Sequence, residues 1–177
     1  MELETARLHL RPLAMTDADV LYALHQDEDM QRHMGDGHLY DRDESRIWLE
    51  WHVGLWDLEG YSFFAAELRA DRRFVGWVGL DKMADEPDLD GQTEIGWFID
   101  RAFWRQGLAT EGARAALDFG FDSLGLDRII ARYHTENVAS GRVMQKIGMH
   151  YWREVPSKEV PGSTVTFYEL SASARAS

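Results

Sequence analysis

A chain of 177 residues with 45% hydrophobic and 28% charged residues has the size and composition of one globular domain, long enough to bury a substantial core. Its 19 basic against 31 acidic residues leave a formal net charge of -12, which repels a phosphate backbone and excludes nucleic acid as the expected partner. Zero cysteines exclude disulfides, thiolate zinc sites and a cysteine nucleophile; with no apolar run long enough for a bilayer span and no signal-peptide pattern, a cytoplasmic location without membrane is expected.

Leu8 to Leu13 alternates apolar and polar residues and predicts a first strand, with Pro12 marking an edge or an end. A helix follows, with Thr16 as its expected N-cap, Asp17 and Asp19 at its positive end, and Leu21 and Leu24 on its apolar side. Met30 to Tyr40 reads as a loop. A second helix is predicted from about Arg42 to Trp56, where Ile47, Trp48, Trp51 and Leu55 recur at helical spacing. Tyr61 to Leu68 and Phe74 to Lys82 form a predicted hairpin, and the acidic segment Asp85 to Gly91 an exposed loop.

A strand over Thr93 to Ile99 then feeds a turn and a helix from about Gly107 to Leu124, with Ala113, Leu117, Phe121 and Leu124 on one face. Arg128 to His134 is a further strand, Val138 to Ile147 a short helix, and Met149 to Val155 and Val165 to Leu170 the closing strands. Ser171 to Ser177 is small and polar enough to fray. The order describes helices inserted into a mostly antiparallel sheet, an α/β (α+β) architecture of about seven strands and four helices.

Chemistry concentrates in the turn Trp104-Arg105-Gln106-Gly107-Leu108-Ala109-Thr110-Glu111. A helix start offers free amides and a partial positive charge, Gly107 permits close approach of the main chain, and Ala109 adds little bulk, so the turn suits a phosphate. No Gly-Lys-Ser/Thr follows, which separates it from a nucleotide P-loop, and the Rossmann glycine triplet is absent. Past the next strand, Asn137 can cap the short helix, Gly148 can end it and Lys146 sets a cation in its last turn.

With these stretches in this order, and with Leu3 to Arg11, Asp17 and Glu94-Ile95-Gly96-Trp97 ahead of them, nearly the whole chain resembles the GNAT superfamily of N-acetyltransferases and, within it, the RimJ/RimL-like branch. The resemblance implies a mixed sheet splayed between its fourth and fifth strands and direct transfer of an acetyl group from acetyl-CoA to an amine. The acceptor it implies is a protein N terminus or a small-molecule amine. It implies that the pantetheine arm pairs near Trp97, Phe98 and Ile99 while the pyrophosphate sits on Arg105, Gln106, Gly107, Leu108, Ala109 and Thr110. The expected cofactor set also includes Asn137 and Ser140, with Arg142 and Lys146 as cations that offset the phosphates, against a reading of both as solvated helix residues.

Two departures stand out. Trp104 opens the turn where the commonest superfamily pattern has Gln or Arg, although RimJ/RimL-like members often carry Trp there. Met144 stands where many members carry a tyrosine general acid, and it cannot donate a proton. The RimJ/RimL-like pattern assigns that place to Ser140, with the residue also readable as an ordinary first-turn hydroxyl; a sensor that binds acyl-CoA without chemistry is the alternative Met144 keeps open. Glu94 is the first candidate for the base, against a strand-face ion pair, and His134 is the second. A bulged strand near Trp97 or Phe98 is expected to free an amide for the oxyanion. Tyr40, Trp48 and Trp51, with Glu94, form the expected acceptor pocket, against packing of the tryptophans, Trp56 included, in the core. Strand edges near the C-terminus make a homodimer conceivable.

Overall fold

The computed structural model describes residues 1–83 and 88–175. Eight strands form one sheet in the order β1-β2-β3-β4-β5-β6-β8-β7: β1 (Leu3–Glu4), β2 (Leu8–Pro12), β3 (Phe63–Leu68), β4 (Phe74–Lys82), β5 (Thr93–Ile99), β6 (Arg128–His134), β7 (His150–Pro156) and β8 (Thr164–Ser171). All neighbours run antiparallel except β5 and β6. Among the described residues six α-helices accompany them: α1 (Ala18–His25), α2 (Glu28–Gln31), α3 (Arg42–Glu59), α4 (Leu108–Asp118), α5 (Val138–Lys146) and α6 (Ala172–Arg175). The class expected from the sequence is present, with one more strand and two more helices.

The additions are short, and their causes are local or long-range. β1 is two residues paired to β2 through Leu3 and Leu10, too brief to show an alternation. α2 lies within a segment read as loop and is held by Asp27, whose carboxylate accepts the Asp29 amide at 3.0 Å. α6 replaces the expected fraying over 172–175: Arg175 reaches back to Asp118 at 2.7 Å and Asp122 at 2.5 Å. Residues 176–177 of that segment, and Asp85, Glu86 and Pro87 of the acidic loop, lie outside the described residues. Thr16 is not a cap. It sits inside a 3-10 turn over Met15–Asp17, where the Ala14 amide donates to the Asp17 carboxylate at 2.9 Å.

Alternation within each strand divides the core between the two faces of the sheet. Leu8, Leu10, Phe64, Val78, Leu80, Ile95 and Ile129 pack against α4 through Leu108, Ala113, Ala116 and Leu117. On the other face Phe63, Ala65, Trp77 and Phe98 pack against α1 and α3 through Leu21, Leu24 and Leu49. α3 begins with a reciprocal cap: Asp41 accepts from the Asp43 and Glu44 amides at 2.9 and 2.8 Å, and Glu44 takes the Asp41 amide at 2.8 Å. The helix expected to run to Leu124 is α4 until Asp118, then continues as a π-type turn over Phe119–Ser123.

Candidate active site

β5 and β6 are joined by two residue pairs only, Thr93 with Ile129 and Glu94 with Ile130. On their outer sides both are fully laddered: β4 follows β5 from Thr93 to Ile99, and β8 follows β6 from Arg128 to His134. From Ile95 and from Ala131 onward, therefore, the strands diverge with their facing edges unladdered. The opening falls between the strands expected to flank it. The β4 to β5 register runs without a shift, so the bulge expected near Trp97 or Phe98 is absent; the unpaired backbone groups come from the splay instead.

The open arm of β5 leads directly to the turn before α4. Trp104 Nε1 donates to the Ile99 carbonyl at 2.6 Å, closing the end of the strand. Arg105 and Gly107 have φ of 62° and 79°, the left-handed conformation that glycine adopts without the cost a Cβ imposes. Backbone hydrogen bonding stops at Trp104, whose amide reaches Arg101, and resumes at Glu111, whose amide reaches Gly107 at 3.0 Å. Among the described residues the six amides from Arg105 to Thr110 have no backbone acceptor. Gly107 caps α4 without a side-chain bond. Such a run of donors at the head of an eleven-residue helix has the geometry that suits a polyanion.

Arg7 and Glu111 hold this turn. Arg7 donates from Nε to Glu111 Oε2 at 2.7 Å, from its amide to Oε1 at 2.7 Å, and from a terminal guanidinium nitrogen to the Gln106 carbonyl at 2.8 Å. Thr5 adds a hydroxyl bond to Glu111 at 2.6 Å. A cleft beside the turn is lined by Arg7, Gly107, Thr110, Arg114 and Lys146 among others. Glu4, Glu111 and Asp118 line the same cleft, so its charge is locally balanced where that of the whole chain is negative. Lys146 is part of this group, whereas Arg142 is exposed one turn earlier on α5.

α5 is capped as expected, with Asn137 accepting the Ser140 amide at 3.3 Å. The Ser140 hydroxyl has no hydrogen bond among the described residues. Met144 is 1% exposed and belongs to the core under α4; its role is packing.

On the α3 face of the sheet, titratable groups line up across four elements. His52 donates from Nδ1 to the Trp48 carbonyl at 2.7 Å and sets Nε2 3.3 Å from Asp81. Asp81 lies opposite Glu94 in the β4 to β5 register, and Glu94 meets Arg132 of β6 at 3.2 Å. Two residues on, His134 contacts the Gly35 carbonyl at 2.8 Å. Glu94 therefore sits at the apex of the splay and does form a strand-face ion pair. Tyr40 and Trp48 approach this face through His25, with ring centroids 4.9 and 5.6 Å away, and His25 in turn lies 5.9 Å from Phe98. Burial raises the Tyr40 phenol, helped by Glu44, Asp36 and Glu159.

Trp51 is not brought to this group: it is 62% exposed on the solvent side of α3. Trp56 packs in the core with Nε1 on the Phe63 carbonyl at 3.1 Å. Arg7, Arg132, His52 and Asp81 are brought to these groups by the structure and were missed by sequence reasoning. Only Arg7 carried a signal, through its place in the opening Leu-Glu-Thr-Ala-Arg stretch.

Residues 7–150 match the family model described as an acetyltransferase (GNAT) domain. YkkB of Bacillus subtilis (strain 168) is 32% identical over 157 residues, spanning 87% of this chain and 88% of that protein. A GNAT-family acetyltransferase from Bacillus anthracis has a similar crystal structure, with a TM-score of 0.81 at 25% identity over 97% of this chain and 98% of that one. The ribosomal-protein α-N-acetyltransferase RimL, solved with coenzyme A, shares the fold at 18% identity, with a TM-score of 0.81 over 98% and 99% of the two chains.

Proposed function

Because the chain belongs to the GNAT family of acetyltransferases, we propose that, as a single domain of the RimJ/RimL-like branch, it transfers the acetyl group of acetyl-CoA directly to a primary amine on a protein N terminus or a small molecule. It is an N-acetyltransferase, and acetyl-CoA is its acyl donor. The observation that carries the site assignment is the run of six unaccepted amides from Arg105 to Thr110 at the end of an unladdered strand edge.

In this reading those amides, with Arg7 and Lys146 beside them, hold the pyrophosphate, and Arg142 lies at the rim. Leu108 and Ala109 keep that surface low. The open edge at Trp97, Phe98 and Ile99 takes the amides of the pantetheine arm, and Asn137 borders the cleft from α5. Acetyl-CoA supplies the acyl group and a thiolate leaving group. A free main-chain amide on the open edge of β5 stabilises developing negative charge, and the unbonded Ser140 hydroxyl is the proton donor nearest the head of α5.

Glu94 serves as base, through water, at the apex of the splay, with Arg132 holding its carboxylate. His134 is secondary, because its Nε2 is engaged by Gly35. An α-amine with a pKa of roughly 7.7 to 8.0 is about a tenth neutral at pH 7, whereas a lysine amine near 10.4 is neutral in about one molecule in a few thousand. A modest base therefore favours α-amines. Tyr40 and Trp48 border the acceptor side. The reading places the protein in the cytoplasm; among the described residues no helix is long and apolar enough to cross a membrane.

The test is release of free thiol from acetyl-CoA in the presence of N-terminal peptides and small amines. Turnover with at least one class is expected. Tight binding of acetyl-CoA with no turnover across both classes would assign the chain to acyl-CoA sensing instead.

A further inference from the structure

His52 of α3 is buried, and the contacts of its ring fix where its hydrogens sit. Nδ1 lies 2.7 Å from the Trp48 carbonyl, which can only accept, so Nδ1 carries a hydrogen. Nε2 then faces Asp81 at 3.3 Å. Asp81 takes the Lys82 amide on its other oxygen at 2.7 Å, as a carboxylate does. An imidazole with its one hydrogen on Nδ1 would turn a lone pair toward that carboxylate and set two acceptors in contact. The geometry is satisfied when Nε2 carries a hydrogen as well. The ring also lies 3.9 Å from the Trp48 ring and 4.7 Å from the Phe63 ring, at 34° and 22°, and aromatic faces attract a cation.

The surroundings give that charge a consequence. Asp81 stands opposite Glu94 in the β4 to β5 register, which puts two carboxylates on one face of the sheet with Cβ atoms about 5 Å apart. Arg132 of β6 meets Glu94 at 3.2 Å. Of the other groups around His52, Lys82 pairs with Glu59 of α3, and His25 of α1, beyond Trp48, is held neutral by burial. With His52 charged, two cations flank two carboxylates. With His52 neutral, one negative charge in this line would go uncancelled and would hold an approaching amine as the ammonium ion, which cannot attack.

We propose that His52 is a positioning residue of the acetyl transfer, an inference that rests on Glu94 as the base: a proton held between His52 and Asp81 cancels the Asp81 carboxylate and leaves the amine beside Glu94 free to be deprotonated. The His52 proton is not itself transferred. The amine's proton passes through water to Glu94 as the C–N bond forms, and the C–S bond breaks with its electron pair on sulfur.

Isotope labelling of the histidine ring nitrogens, read by NMR, tests the proton directly, and the signals lost in His52→Gln identify His52. Both of its nitrogens should carry hydrogen at pH 7, and Asp81→Asn should leave hydrogen on Nδ1 alone. Kinetics test the consequence. His52→Gln keeps a donor toward Asp81 without the charge; at pH 7 it should lower kcat about tenfold and lower KM for the amine as well, the pattern of a substrate bound more tightly in an unreactive form. Adding Asp81→Asn should bring both constants back to within about threefold of wild type. A packing role would raise KM and give no such rescue. A His52 with hydrogen on one nitrogen at pH 7, a His52→Gln variant with unchanged kcat or raised KM, or a double variant no better than the single one would overturn the proposal. Wild-type turnover in Glu94→Gln would instead remove the base, and the protonation of His52 is read independently of it.

Discussion

Arg7 and Glu111, 104 positions apart, are joined by two hydrogen bonds of 2.7 Å, one from the guanidinium and one from the Arg7 main chain. They tie the start of β2 to the first turn of α4, and a further Arg7 nitrogen holds the Gln106 carbonyl. Arg7 thus fixes the turn and supplies a cation beside it. Arg7→Gln should weaken coenzyme A binding about tenfold, or about 1.4 kcal/mol, as read by calorimetry. An unchanged affinity would confine Arg7 to the β2 side of the contact.

Gly107 makes a sharper case, because two substitutions separate strain from charge. With φ at 79°, Gly107→Ala carries a backbone cost of about 1 to 2 kcal/mol that thermal unfolding would report, yet its methyl group meets nothing closer than an Arg7 nitrogen at 3.6 Å. Gly107→Glu adds a carboxylate where the pyrophosphate is proposed to sit. Binding should fall modestly in the first variant and by more than a hundredfold in the second. Equal losses in both would point to strain alone.

The turn was legible because its parts are contiguous: a strand, a glycine and a helix lacking a capping side chain are visible in one stretch of sequence. The splay was not legible from pattern, since Thr93 to Ile99 and Arg128 to His134 look like ordinary strands, and only the loss of pairing after Glu94 and Ile130 makes an opening. Resemblance supplied that feature. Trp48 and Trp51 show the limit of periodicity. Both fit a helical repeat, but α3 has two apolar stripes, and the sheet covers the one bearing Trp48. Arg132 and Asp81 stayed hidden because their meaning lies in cross-strand neighbours that no local spacing encodes.

Glu94 and His134 are separable by kinetics. If Glu94 acts as base, Glu94→Gln should lower kcat by about a hundredfold or more and leave coenzyme A affinity within twofold. His134 bonds the Gly35 carbonyl of the loop before α3, so His134→Asn should raise KM for the amine more than it lowers kcat. The reverse pattern, a collapse of kcat in His134→Asn with Glu94→Gln near wild type, would exchange their roles.

His25 offers a prediction about stability that is independent of catalysis. It is buried among Tyr40, Trp48 and Phe98, 2.9 Å from the Ser45 hydroxyl, and burial pushes its pKa down from 6.5 to about 4. The unfolded chain takes up this proton near pH 6.5 while the folded chain refuses it until about pH 4. The contribution of neutral His25 is therefore complete above pH 6.5 and is lost progressively as pH falls from 6.5 to 4, by roughly 3 kcal/mol in all. Acidic groups held in ion pairs add their own losses in acid, so the comparison must be with a variant lacking only this group. His25→Phe combined with Ser45→Ala removes the titration and the hydroxyl together. Denaturant unfolding between pH 7 and pH 4.5 should show a shallower decline in the variant than in wild type. Parallel declines would mean that the folded protein accepts the proton, through water reaching the imidazole or a rearrangement of α1 against α3.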